Sequence, residues 1–175
     1  PENIFVATLG GERDVVKVLD FGIARSAEVK DARLTTTGWV AGTPAYVSPE
    51  AAKGEPASEP ADVYGLGMVL YWAVTATVPF GGESAIEVLA RHVNDPVPLP
   101  SRRRGEQLPE ALEACIMRCL EKDPKRRYRD AAHLAVALDE LGHAIPWRAL
   151  PRGSSDSMPA IPFTDPRGDT DPKRH

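Results

Sequence analysis

A chain of 175 residues, 42% hydrophobic and 26% charged, has the length and apolar content for one core of ordinary size. A formal charge of −4 and the lack of any long lysine–arginine block exclude a nucleic-acid binder working through a basic face. With only two cysteines, Cys115 and Cys119, the sequence fits a reducing cytoplasm.

Two short apolar runs, Asn3 to Ala7 and Val15 to Leu19, flank Gly10 and Gly11 in a polar turn, which predicts a β-hairpin. Residues 23 to 49 then lose periodicity. They are rich in Thr, Gly and Ala, and loops of this length inside compact domains tend to carry function. Pro60 to Thr77 follows as a helix that is apolar nearly all round, through Val63, Leu66, Met68, Val69, Leu70, Tyr71, Trp72 and Val74, and is expected to run through the core. The apolar stretch Leu66 to Val78, broken by Gly67 and Thr75, is too short to span a bilayer.

A second helix is predicted to open at Ser84, with Glu87 completing a capping box and Ile86, Leu89 and Ala90 as its buried stripe. A third, from Pro109, repeats Leu112, Cys115, Ile116, Cys119 and Leu120 at helical spacing and halts at Asp123 and Pro124. In that stripe the two cysteines act as small apolar groups. The last helix takes Asp130 as N-cap, packs Ala131, Leu134, Ala135, Leu138 and Leu141, and is expected to end at Gly142. From Pro146 the composition turns to Pro, Ser, Gly, Asp and Arg, too poor in large apolar groups to offset the entropy of ordering. The expected organisation is a domain over residues 1–142 and a proline-rich, disordered tail over 143–175.

Chemistry concentrates in a series of short motifs. Asp20, Phe21 and Gly22 follow the second strand. Pro1, Glu2, Asn3 and Ile4 stand upstream. Gly42, Thr43, Pro44, Ala45, Tyr46, Val47, Ser48, Pro49 and Glu50 come downstream, then Asp62 to Gly67, then Cys119 to Pro124 with Arg127 and Tyr128. In this order they resemble the signature set of protein kinases over residues 1–142, in the style of the bacterial, eukaryotic-like serine/threonine kinases.

The resemblance implies a mainly α fold, the kinase C-terminal lobe, with a short β-hairpin, a long activation segment and about four helices. It implies ATP-dependent phosphoryl transfer to serine and threonine hydroxyls of protein substrates, a reaction in which the protein mostly positions groups and neutralises charge. Asp20 and Asn3 match the family's Mg²⁺ ligands, oxygen donors of the kind hard cations prefer. Phe5 matches the floor of the adenine pocket and shares the ATP site with Asp20, while Phe21 and Gly22 complete the metal-binding turn. Residues 23 to 47 match the activation segment, with Thr35, Thr36 and Thr37 as phosphate acceptors that would add close to two negative charges and order the loop. Thr43 matches the threonine of the substrate groove and is the main reason to expect serine or threonine as acceptor. Glu50 and Arg127 match a buried ion pair. Asp62 matches the aspartate that accepts hydrogen bonds from the catalytic-loop backbone, although an acid in a helix's first turn is also favoured by the dipole alone.

The family's catalytic base, the lysine that follows it and the N-terminal lobe are not among these residues, so the expectation is a truncated kinase with no activity of its own. Cytoplasmic location and no membrane contact within the chain go with that reading, and relatives often place a membrane-spanning segment beyond such a tail. The alternative is a non-catalytic, kinase-like scaffold that holds partner proteins through the helix from Ser84 to His92.

Overall fold

The computed structural model describes residues 3–18, 44–56 and 58–145. Strands β1 (Ile4–Leu9) and β2 (Glu12–Val18) pair antiparallel, with Ile4 opposite Val18 and Ala7 opposite Val15. Gly10 and Gly11 take φ of 60° and 90°, the positive values that a tight hairpin turn needs at both central positions and that side chains resist. Beyond Ala7 the register slips, so that Leu9 faces Glu12. One extra residue therefore lies on β2, and Asp14 absorbs the bulge at φ 62°, which a short polar side chain tolerates. Phe5, Val6, Leu9, Val16 and Val18 are all exposed.

The remaining described chain is helical: α1 (Pro49–Ala52), α2 (Glu59–Thr75), α3 (Ala85–Asn94), α4 (Pro100–Arg104), α5 (Glu110–Cys119) and α6 (Ala131–Ala144), with 3₁₀ turns at Pro44–Tyr46 and Pro124–Arg126. The architecture is mainly α with a single two-stranded sheet among the described residues. Helix α2 is the central post. Its Tyr64, Met68 and Tyr71 pack with Leu112 and Ile116 of α5, with Leu120 and with Ile145. On the adjoining side Val63 meets Cys115, Cys119 and Leu134. Burying each of the larger of these side chains contributes about 1.5–3 kcal/mol. Two helices can come this close only because Gly67 lacks a side chain: a Cβ there would lie 2.5 Å from Cys119 Cβ.

Several expectations need correction. Helix α2 stops at Thr75, not Thr77, because Ala76 turns into the left-handed region at φ 55°. Leu66 is 41% exposed and borders an apolar groove shared with Leu70, Leu134 and Leu138, so α2 is not buried all round. In α3 the buried residues are Val88 and His92, whereas Ile86 and Ala90 face outward and Leu89 is half-buried. The inward face is set by Val88 and, four positions on, a polar residue that an apolar period does not pick out. In α6 Leu134 is buried, but Ala131 and Ala135 are exposed, and the helix runs through Gly142 to Ala144. A glycine costs a helix interior about 1 kcal/mol. The buried side chain of Ile145, whose N–H bonds to the Leu141 carbonyl at 2.9 Å, offsets that. The short helices α1 and α4 lack an apolar period and were not expected. The predicted tail from Pro146 lies outside the described residues.

Candidate functional site

Ser48 caps α1, its hydroxyl accepting from the Ala51 N–H at 3.3 Å, and Pro49 occupies the first turn with φ already suited to helix. This start places Glu50 facing inward. From the far end of the chain, Asp123 caps the 3₁₀ turn by accepting from Lys125 N–H, and the next extended residue is Arg127. The two side chains meet in a two-pronged ion pair, Nη1 to Oε1 at 2.6 Å and Nη2 to Oε2 at 2.8 Å, with the arginine wholly buried.

Arg127 also donates to the carbonyls of Glu121, Pro60 and Lys122, so all five of its N–H groups have acceptors. Its guanidinium lies 4.9 Å from the Tyr64 ring centroid. Burial pushes the Glu50 carboxyl up. The hydrogen bonds and charge of Arg127, with bonds from its own backbone and Ser48, more than reverse that and hold it below the ordinary carboxylate value. The arrangement fixes the stretch Pro44–Glu50 to the start of α2 and to the loop that enters α6.

Next to this pair sits a group that the sequence did not flag. His92 is fully buried, with Nδ1 2.8 Å from the Tyr64 hydroxyl. Burial, helped by the charge of Lys122, depresses its pKa to about 4, although the Ala45 main chain pulls the other way. Lys122 Nζ donates to the His92 carbonyl at 2.7 Å and lies over the Phe80 ring. Its own pKa is lowered to about 8 by burial, against the pull of Asp95 and with the push of Arg127. A spacing of four from Val88 was the only trace of His92's inward position.

The other predicted site residues are scattered. Asn3 is exposed in the turn before β1, and Phe5 is half-exposed in β1 opposite Lys17. Asp62 is exposed in the first turn of α2. Asp20, Phe21, Gly22, Thr35, Thr36, Thr37 and Thr43 lie outside the described residues. Among the described residues no group of three or more His, Cys, Asp or Glu side chains is placed to hold a metal ion. Cys115 and Cys119 are buried thiols in the core. Cys119 takes the rise in pKa that its contact with Cys115 and its burial produce, so it stays a protonated thiol. No helix among the described residues is long and apolar enough to cross a membrane.

The family model for the protein kinase domain matches residues 1–137. The chain belongs to the protein kinase domain family. Its mainly helical fold, with a hairpin leading into helices, is that of the kinase C-terminal lobe. The chain is 42% identical over 144 residues to serine/threonine-protein kinase pkn3 of Myxococcus xanthus, covering 81% of its own length and 26% of the relative's. It is 43% identical over 139 residues to serine/threonine-protein kinase PknB of Mycolicibacterium smegmatis, covering 79% and 21%. With serine/threonine-protein kinase PkaA of Streptomyces coelicolor the identity is 39% over 168 residues, covering 95% and 29%. The chain thus spans about a quarter of the length of these curated relatives.

Proposed function

We propose that this chain supplies the C-terminal lobe of a serine/threonine protein kinase, transferring phosphate from ATP to protein hydroxyls when the rest of the domain is joined to it. The observation that carries the reading is the buried Glu50–Arg127 clamp: it anchors the downstream end of the stretch whose Thr43 would contact the acceptor serine or threonine. Mg²⁺, when bound, would supply the charge that neutralises the nucleotide phosphates. Asn3 and Asp20 are the residues to hold it. In support, Ile4 and Val18 pair across the hairpin, so the chain that continues to Asn3 on one strand and toward Asp20 on the other leaves from the same end of the sheet. Phe5 would contact the adenine, and Thr35, Thr36 and Thr37 would accept the phosphate that orders the activation segment.

The catalytic aspartate and the phosphate-covering lobe are not among the 175 residues, so the chain alone is expected to transfer nothing. Residues 1–145, joined behind the N-terminal lobe and catalytic loop of an active relative, should transfer labelled phosphate from ATP to serine and threonine of a test protein. Asp20→Asn in that chimera should lower the rate by about 100-fold or more, the scale of a lost metal contribution. A chimera that folds but transfers no phosphate would overturn the enzyme reading in favour of the scaffold.

A further inference from the structure

A wholly buried imidazole is uncommon, and its surroundings say what holds it there. His92 lies in the last turn of α3, and Tyr64 and Phe80 both meet it edge-on, at ring-centroid distances of 5.7 and 5.1 Å. Burial pushes the Tyr64 phenol up and the His92 imidazole down. At neutral pH the phenol therefore keeps its proton and donates it to Nδ1 across 2.8 Å. The imidazole's own N–H must then sit on Nε2. Nε2 has no hydrogen-bond partner among the described residues, and the 3₁₀ turn that carries Ala45 packs against α3.

The same residue belongs to a closed circuit. Lys122 Nζ donates to the His92 carbonyl at 2.7 Å, and the Lys122 carbonyl accepts from Arg127 at 3.2 Å. Arg127 lies against the Tyr64 ring and grips Glu50, and Tyr64 returns to His92. Helix α3 packs directly on both α1 and the 3₁₀ turn. The links join four stretches of chain: α1, α2, α3 and the loop between α5 and α6.

We infer that His92 is a positioning residue that ties α3 and the stretch Pro44–Ala52 into one mechanical unit, its imidazole held by Tyr64 of α2 and, through the Arg127 that covers the Tyr64 ring, linked to Glu50. On the function proposed above, the surface α3 presents and the path of the chain leading to Glu50 shift together. The tie itself is independent of catalysis.

Hydrogen exchange followed by mass spectrometry on the full chain tests it, because backbone amides between Val47 and Glu55 are hydrogen-bonded and report local opening. In His92→Leu, exchange should speed up several-fold, up to about tenfold, the scale of one lost hydrogen bond. The rise should cover both residues 47–55 and residues 85–95 and leave α6 unchanged. His92→Gln, with one acceptor and one donor at the end of its side chain, should recover part of the protection in both stretches. Faster exchange confined to 85–95 would overturn the inference, and so would a uniform rise that includes α6. Should His92→Leu fail to fold, Tyr64→Phe, which removes one oxygen, gives the same two-stretch pattern or overturns the inference. None of these readouts depends on phosphoryl transfer.

Discussion

Arg127 shows how a charge can sit wholly inside this lobe. A buried guanidinium is tolerated when its donors are all matched, and here two go to Glu50 and three to main-chain carbonyls, one at the start of α2 and two adjacent ones in the loop after α5. Removing one partner leaves the other charge stranded, at a cost of about 3–5 kcal/mol. Glu50→Ala should therefore lower the melting temperature by roughly 10 °C in a chain of this size. Circular dichroism through a thermal ramp measures it. A midpoint within about 2 °C of the parent would show that the pair adds nothing net, as surface pairs often do. The partnership was legible in sequence only through family likeness, since no local pattern relates residues 77 positions apart.

At the scale of elements, two glycines of α2 have opposite character, and only one of them faces α5. A Cβ on Gly67 would press into Cys119 Cβ at 2.5 Å and Leu120 Cδ2 at 3.1 Å, whereas one on Gly65 would meet only the Tyr46 carbonyl at an ordinary 3.7 Å. Both sit in the same helix, so alanine brings each the same propensity gain of about 1 kcal/mol. Gly65→Ala should raise the unfolding free energy by up to that amount. Gly67→Ala should lower it by about 1–3 kcal/mol, the usual cost of overpacking. Urea titration separates them, and equal effects at the two positions would mean that the helices part without cost. The same elements mark what sequence reasoning could and could not reach. The buried face of α5 was legible, because Leu112, Cys115, Ile116, Cys119 and Leu120 form one uninterrupted apolar stripe and all are buried, although the helix ends at Cys119 and not at the expected Asp123. The hairpin was legible from its paired glycines, though not the bulge at Asp14. For α3 the pattern failed: the inward face is Val88 with His92 four positions on, and the place of that imidazole depends on Tyr64, 28 positions away. The capping box there is also displaced by one: Ser84 accepts from Glu87 N–H, but Glu87 reaches back to Glu83 N–H and not to Ser84. A periodicity rule sees apolar side chains and misses polar ones that find partners only in three dimensions.

For the whole molecule, these buried groups give stability a definite dependence on pH. His92 binds its proton near pH 6.5 when unfolded and at about 4 when folded. Its folded value is depressed, so its contribution is complete above about pH 6.5 and is lost as the pH falls toward 4. The groups facing it reinforce that sense: Tyr64 from α2 stays a proton donor, and Lys122, from the loop after α5, is cationic at acid pH and repels a second charge. Glu50, also depressed, acts in the same direction but only below the ordinary carboxylate range. The acid limb should therefore come in two stages. Unfolding free energies from urea titrations should begin to fall near pH 6.5, with an uptake of up to about one proton, and fall more steeply below about pH 4.5. In His92→Leu the first stage should vanish while the second remains, displacing the onset of acid sensitivity by about two pH units. A parent chain with constant stability from pH 7 to 4.5 would show that the imidazole is not held neutral by its burial. A first stage that survives the substitution would assign it to another group.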